Sequence, residues 1–286
     1  MNFLNSTKTG SVAWIDFIHY ANRLFVAGRN NMWSNEDTYI SIFSQGQSLI
    51  KSDVLSISIH NFYRTWLSNN MDLLQDYAEK KTTFILKKIL ATDEPKGVIK
   101  KVLSGIENLY NGSKPVALVV PSPQMWLTWL YSNIRPDEVP SLGENEIEAT
   151  AMYLAEYLRE YSSNGLSTIV LEEDDRSSVA SSEMLALYKP VINIARHYQW
   201  STGLLINRTS HNEVKKNDDI DFFLMKGSDL SELSLLLKEN DRIGGGLNAL
   251  FWSGQQIDTG SITLVYGEIP ENADPETVLA QLKIIR

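Results

Sequence analysis

Thr168-Ile169-Val170-Leu171 is followed directly by Glu172-Glu173-Asp174-Asp175, so a short apolar run ends in four carboxylates. Three other apolar runs, at 116–120, 203–206 and 262–265, also end in polar or ionisable residues. The residues that follow them are Pro121-Ser122-Pro123-Gln124, Asn207-Arg208-Thr209-Ser210-His211 and Tyr266-Gly267-Glu268. This pattern is typical of parallel strands that are buried on both faces and carry functional residues at their carboxyl ends.

Helical patterns separate most of these runs, which predicts an α/β fold. Strands are predicted at 54–59, 115–120, 167–172, 202–207, 219–225, 241–244 and 261–266. Because polar strand ends recur along the chain instead of concentrating at one point of a sheet, they favour a closed (β/α)8 TIM-like barrel over an open sheet. A single barrel domain is predicted over residues 1–286, with residues 1–50 as a helical N-terminal extension that begins with a helix at 12–25.

Composition limits the classes of function. The net charge is −9, and Lys80-Lys81 and Lys215-Lys216 are interpreted as solvated pairs, which argues against a nucleic-acid groove. The chain has no cysteine, so a zinc-thiolate site is excluded, whereas a metal site built from His and Glu is not. The first ten residues lack the apolar stretch of a signal peptide, and no segment has the length of a membrane span. We therefore expect a cytoplasmic protein without membrane contact.

Three residues at predicted strand ends are candidates for catalysis. His60 is a candidate general base or metal ligand, although a histidine here also suits the capping of a following helix. Glu172 lies among four carboxylates whose repulsion would raise at least one pKa, which suits proton transfer or a hard cation. Acidic residues also stabilise the amino terminus of a following helix without any catalytic role. Tyr266 could donate a proton or hydrogen bond to substrate.

Five further residues are candidates for substrate binding. Arg208, beside Asn207, could hold a carboxylate through two parallel hydrogen bonds, although a surface loop explains both residues equally well. Gln124 and Trp126 follow a Pro-Ser-Pro turn that directs a helix amino terminus towards the predicted mouth. Asn248 follows the Gly244-Gly245-Gly246 run, which we interpret as a tight strand exit because no Gly-Lys-Ser/Thr follows it.

The order of these pieces resembles the uroporphyrinogen decarboxylase superfamily, which also holds the cobalamin-independent methionine synthase barrel and corrinoid-linked methyltransferases. The resemblance runs from about residue 54 onward and implies a TIM-barrel lyase or transferase of a biosynthetic pathway. The matching pieces are Lys114-Pro115-Val116 leading into Pro121-Ser122-Pro123, the acidic end of 169–174, Gly244-Gly245-Gly246-Leu247-Asn248, and Gly267-Glu268-Ile269-Pro270 followed by Asp274-Pro275-Glu276-Thr277-Val278.

The sequence also departs from this family in three ways. The Arg-Gln-Ala-Gly-Arg element that binds substrate carboxylates in the decarboxylases is reduced to Ala27-Gly28-Arg29, with Phe25 at the position of its first arginine. Where the catalytic aspartate of the decarboxylases follows an early strand, this chain reads Ser58-Ile59-His60-Asn61. The cysteines of the methionine synthase zinc site are absent. Porphyrin decarboxylation and zinc-thiolate methyl transfer are therefore not expected.

Three hypotheses follow. In the first, an enzyme binds a small polar or carboxylated metabolite at the carboxyl-terminal mouth of the barrel, and His60 or Glu172 moves a proton in a decarboxylation or group transfer while Arg208 holds a carboxylate. In the second, a metal-dependent lyase or oxygenase uses His60, Glu172 and His211 as ligands. In the third, a barrel without catalysis serves as a binding or assembly protein in a biosynthetic complex. Each hypothesis allows a homodimer.

Overall fold

The computed structural model describes residues 11–26, 31–77, 79–138, 140, 142–173, 182–207, 217–257 and 262–286. The strands are β1 (Val12–Asp16), β2 (Leu55–Ser58), β3 (Val116–Pro121), β4 (Thr168–Glu172), β5 (Ser201–Asn207), β6 (Phe222–Lys226), β7 (Ile243–Gly246) and β8 (Leu264–Glu268). The helices are α1 (Ile18–Phe25), α2 (Glu36–Ile50), α3 (His60–Ser68), α4 (Met71–Asp76), α5 (Thr82–Ala91), α6 (Asp93–Tyr110), α7 (Pro123–Ile134), α8 (Glu144–Arg159), α9 (Ser182–Leu187), α10 (Lys189–His197), α11 (Leu230–Leu236), α12 (Ala249–Trp252) and α13 (Pro275–Leu282), with a 3-10 turn at Met32–Ser34. Within these residues, no helix combines the length and the apolar character needed to cross a bilayer.

The strands form one eight-stranded sheet in the order β1-β8-β7-β6-β5-β4-β3-β2. Every neighbouring pair in this order is parallel, and described helices lie between all consecutive strands except β5 and β6. The sheet therefore curls into a nearly closed (β/α)8 barrel, and the predicted TIM-like fold is confirmed.

The first strand was not predicted. Val12–Asp16 was expected to begin a helix, but it pairs with β8 from Val12 opposite Leu264 to Asp16 opposite Glu268. The helical extension predicted for residues 1–50 is therefore wrong at β1, which belongs to the barrel wall. Its four consecutive apolar residues are all buried, and periodicity alone does not separate such a strand from a buried helix.

Local sequence explains where the helices begin. The side chain of Asn35 accepts a hydrogen bond from Thr38 N and caps α2, whose first turn carries two acidic residues. The side chain of Ser122 accepts from Met125 N and caps α7, with Pro123 at the first helical position. Asp274 caps α13 in the same way through Thr277 N. The caps at Ser122 and Asp274 end the loops that lead from β3 to α7 and from β8 to α13.

Apolar side chains fill the barrel interior. Alternate residues of the strands point inward and form a buried cluster below the strand ends. Trp14 contacts Phe222 and Tyr266, with ring centroids 5.8 Å and 6.2 Å apart. The members of the cluster are Val12, Trp14, Val54, Ala117, Val119, Val170, Leu205, Phe222, Leu224, Leu264 and Tyr266. The cluster forms the floor beneath the polar strand ends.

Side chains bridge the seam between β1 and β2, where the two strands do not form a regular ladder. Ile15 N donates to Ser52 Oγ and Ala13 N donates to Asp53 Oδ2, each at 2.9 Å. One backbone hydrogen bond, from Asp53 N to Ala13 O at 2.9 Å, also crosses the seam. Because Ser52 is fully buried, its hydroxyl occupies the place that a backbone acceptor would hold in a complete ladder.

Replacing Ser52 should therefore weaken the barrel. We expect Ser52→Ala to leave the buried Ile15 N–H without a partner and to lower the free energy of unfolding by about 1–3 kcal/mol. Urea unfolding followed by tryptophan fluorescence measures this change, with the exposed Ser163→Ala as a matched control. If Ser52→Ala is no less stable than the control, the hydroxyl does not close the seam.

Candidate active site at the barrel mouth

A cavity of about 500 Å³ opens at the carboxyl ends of the strands. Because inward-facing residues alternate along a strand, the last inward position of several strands reaches this cavity together. The polar residues that line it are Asp16, His19, Ser56, Ser58, His60, Asn61, Arg64, Glu172, Lys226, Asn248, Tyr266, Glu268 and Glu271. The mouth of the barrel therefore collects ionisable groups from β1, β4, β6 and β8.

Lys226, at the end of β6, is surrounded by carboxylates. Its Nζ lies 2.9 Å from Glu268 Oε2 and 4.0 Å from Glu172 Oε1. Burial by itself lowers the pKa of Lys226, but Glu268, Glu172 and Asp16 together outweigh burial and raise this pKa above its ordinary value. Lys226 is therefore a stable ammonium ion that holds two strand-end carboxylates near each other.

Glu268, at the end of β8, has an environment that favours its protonated form. Burial and the nearby carboxylate of Asp16 raise the pKa of Glu268, and their effect exceeds the opposing effects of Lys226 and Tyr266. Tyr266 OH donates a hydrogen bond to Glu268 Oε1 at 3.2 Å. Burial, followed by the charge of Glu268, raises the pKa of Tyr266 well above its usual range. Glu268 is therefore the carboxyl group best suited to exchange a proton, and Tyr266 is a neutral donor beside it.

The described inner wall of the mouth carries more negative than positive charge. Three carboxylates, Asp16, Glu172 and Glu268, face one ammonium group, Lys226. At the rim, the exposed Arg64 adds one cation and the exposed Glu271 adds one anion. The pKa of Glu268 rises because of burial and then because of this surplus, and the same carboxylates raise the pKa of Lys226. The surplus also favours a bound group that is cationic or that donates hydrogen bonds.

His60 lines the mouth as the first residue of α3, directly after β2. Burial lowers the pKa of His60 to about 4, with smaller contributions from Arg64 and Lys226. Its ring packs edge-on against Trp129, with centroids 5.3 Å apart, and within the described residues its Nε2 is buried without a hydrogen-bond partner. Its side chain makes no capping hydrogen bond to α3. His60 is therefore neutral near pH 7 and adds no charge to the mouth.

Only one of the two glutamates at the end of β4 faces the cavity. Glu172 lines the mouth, whereas Glu173 is buried outside the barrel and accepts a hydrogen bond from Ser122 Oγ at 2.9 Å. Asp174 and Asp175 lie outside the described residues. Successive residues of a strand point to opposite faces, so the acidic run does not share one cavity. The carboxylate that raises the pKa of Glu268 comes from another strand. It is Asp16, at the end of β1.

Asn248 lines the mouth at the exit of β7, and its side chain caps α12 by accepting from Phe251 N at 3.0 Å. The loop can lie this close to β8 because residue 267 is glycine. A Cβ at Gly267 would overlap the carbonyl oxygen of Leu247. The Gly-Gly-Gly run at the end of β7 therefore leads into a tight exit, which agrees with the interpretation of this run as a strand exit.

Three of the predicted binding residues do not line the cavity, and a fourth is outside the described residues. Trp126 has no exposed surface and packs between Tyr63 and Trp129, with ring centroids 5.3 Å and 5.6 Å away, so the prediction that it contacts substrate is wrong. Gln124 and Asn207 are half-buried outside the cavity wall. Ser122 caps α7 directly after β3, so Trp126 lies in the first turns of this helix and is buried in the helical layer. Arg208 and His211 fall outside the described residues.

Within the described part of the chain, no three His, Asp or Glu side chains are grouped so that they could hold a metal ion. The zinc site of the methionine synthase branch also does not fit, because it needs sulfur ligands and the chain has no cysteine. The proposed ligand set of His60, Glu172 and His211 includes one residue outside the described ranges, and it remains a prediction.

Sequence reasoning missed Asp16, Lys226 and Glu268 as site residues. Asp16 was missed because β1 was interpreted as the start of a helix. The strand predicted at 219–225 ended one residue before Lys226. Glu268 follows the same predicted strand as Tyr266, but only Tyr266 was predicted as a catalytic residue. Residues that are two apart on a strand face the same way, so the two side chains point in the same direction. Extending each strand by period two to its first charged residue would have found Lys226 and Glu268.

Comparisons with known proteins bear on the fold. No protein-family model matches the chain, and no curated protein matches it in sequence. Among solved structures, the chain is similar to a methyltransferase from Methanosarcina mazei, with a TM-score of 0.66 and 11% sequence identity over 98% of this chain and 95% of that chain. At this identity the similarity shows the shared barrel fold alone.

The raised pKa of Glu268 predicts a pH-dependent stability. In unfolded chains Glu268 loses its proton at lower pH than in the folded protein, so the wild type should lose stability relative to Glu268→Gln as pH rises through the raised pKa. We expect the advantage of Glu268→Gln in unfolding free energy to grow as the pH rises above about 4.5, the ordinary pKa of a glutamate, and to level off above the raised pKa of Glu268. Urea unfolding at several pH values measures it, with the exposed Glu148→Gln as control. An advantage that stays constant or shrinks with pH contradicts this electrostatic account.

Proposed function

We propose that this barrel is a small-molecule enzyme of the uroporphyrinogen decarboxylase-like superfamily, a lyase or transferase that acts by proton transfer at its carboxyl-terminal mouth. One observation carries the proposal. Glu268 sits in the mouth with a raised pKa, within hydrogen-bond distance of both Lys226 Nζ and Tyr266 OH. A carboxyl group whose pKa is shifted towards neutrality by burial and a like charge is suited to general acid–base catalysis.

Each residue around Glu268 has a distinct part in this proposal. Glu268 gives a proton to the substrate or takes one from it. Lys226 stabilises negative charge that develops on the substrate, because its ammonium group keeps its proton. Tyr266 orients the Glu268 carboxyl through its hydrogen bond, and His60 lines the mouth as a neutral ring. Glu172, at the end of β4, lies 4.0 Å from Lys226 Nζ and helps to hold it in place.

The charges of the mouth select among substrates. A polar metabolite with an amine or other cationic group would be attracted by Asp16, Glu172 and Glu268. A carboxylate on the same molecule would find Lys226 or Arg64 as its partner. A molecule with several carboxylates would be repelled unless Arg208 contributes a further cation. We therefore favour a small polar metabolite with at most one carboxylate.

The fold supports the place of this site but not its reaction. TIM-barrel enzymes carry their active sites at the carboxyl-terminal face, which is where this cavity opens. A methyltransferase of the same fold is consistent with a group transfer, whereas the family resemblance of the sequence also includes decarboxylases. In both kinds of reaction, a positioned acid or base is needed at the mouth.

Incubation of the protein with a cellular metabolite extract in D2O tests the proposal. Mass spectrometry should show at least one metabolite consumed by the wild type, with deuterium in the product where a carbon atom receives the proton. Glu268→Gln should slow this conversion by about 100-fold or more, because it replaces the ionisable carboxyl group with an amide that does not act as an acid or base, and it keeps the shape of the side chain.

The exposed Glu148→Gln serves as the control and should convert the metabolite at the wild-type rate. Equal rates for wild type and Glu268→Gln would remove Glu268 from the reaction. A metabolite that binds to the mouth but is never converted by the wild type would contradict the proposal that this protein is an enzyme. It would favour a binding or assembly protein.

A further inference from the structure

The outer surface of the barrel carries a compact basic patch. Lys80, Lys81, Lys87 and Lys88 surround a depression of about 450 Å³ that also contains Phe84 and Tyr153. We call these six residues the lysine patch. Lys80-Lys81 was interpreted from the sequence as a solvated pair, but α5 brings the two lysine pairs together. Positions 81, 84 and 88 are three and four residues apart and lie on one face of the helix.

The charges of the lysine patch are not neutralised within the described part of the chain. All four lysines are exposed, and no ion pair joins any of them to a described residue. Their nearest notable partners are aromatic: Lys88 Nζ lies 5.6 Å from the Phe84 ring centroid, and Lys87 Nζ lies 5.2 Å from that of Tyr153. Glu79, which precedes the patch, is also exposed, but its one negative charge does not balance four lysines. The local charge is therefore positive on a chain whose net charge is −9.

The lysine patch lies away from the catalytic mouth. Arg135 Nη2 donates a hydrogen bond to the carbonyl oxygen of Lys80 at 3.4 Å. Arg135 directly follows α7, which begins beside the mouth after β3 and runs for 12 residues. A helix of this length spans about 18 Å, so Lys80 lies near the end of α7 that is remote from the mouth. Substitutions in the patch therefore leave the proposed active site intact.

We propose that the lysine patch is a docking surface for an acidic polypeptide segment that also carries apolar side chains. Four ammonium groups complement aspartate and glutamate side chains, and Phe84, which is 40% exposed, offers an apolar contact between them. The patch occupies only the short span from residue 80 to residue 88 and Tyr153. The remaining surface of an acidic chain would repel the continuous phosphate charge of a nucleic acid beyond that span.

Fluorescence anisotropy with a labelled peptide of repeated Glu-Glu-Leu units tests this surface on the intact protein. We expect binding at about 30 mM salt that weakens at about 0.3 M salt, because the contacts are solvent-exposed ion pairs. Lys81→Gln combined with Lys88→Gln should weaken binding by about tenfold. Phe84→Ser should weaken it separately and with little change in salt dependence, which a purely electrostatic surface would not show.

The matched control combines Lys238→Gln with Lys283→Gln, two exposed lysines outside the patch, and should bind the peptide as the wild type does. Thermal melts confirm that every variant is folded. Three results overturn the proposal: no peptide binding at low salt, an equal loss in the control, or tighter binding of a thymidine oligonucleotide or of inorganic pyrophosphate through the same lysines. Conversion of metabolites at the mouth is unaffected by any of these outcomes, so the two proposals fail independently.

Discussion

The pairing of parallel strands in fixed register around a nearly closed barrel is the constraint on which the rest of the structure depends. Because side chains alternate along each strand, this register decides which residues face the interior. It fills the lower interior with Trp14, Phe222 and other apolar side chains. It also brings Asp16 opposite Glu268 and directs both into the mouth. A shift of one residue in β8 would send Glu268 to the outer helical layer.

The chemistry of the mouth depends on the excess of negative over positive charge among its side chains. Charged groups that lose water must find partners, and Lys226 is the partner of Glu268 and Glu172. Burial and the surplus of three carboxylates over one ammonium group together raise the pKa of Glu268. A second cation, brought by a substrate, would relieve the same imbalance. The proton exchange at Glu268 and the polar substrate that we propose both depend on this one arrangement of charges.

Sequence patterns could predict most of the barrel, because long buried strands followed by polar residues leave a clear signal. They did not reveal β1, since four buried apolar residues in a row have no distinct period. His60, Glu172, Tyr266 and Asn248 were predicted and do line the mouth. The pairing of Lys226 with Glu268 joins residues that are distant in sequence, and only the closed register shows that they meet. The lysine patch was missed for a similar reason, because a helix brings its two halves together.

A double-mutant cycle between Lys226 and Glu268 tests the central claim most directly, namely that register brings these two strand ends together as an interacting pair. The cycle compares the unfolding free energies of wild type, Lys226→Met, Glu268→Gln and the double variant near neutral pH. We predict a favourable coupling energy of about 1 kcal/mol, as expected for neighbouring and partly exposed charges. A coupling energy indistinguishable from zero would show that the two side chains do not meet, and it would contradict the account of the mouth.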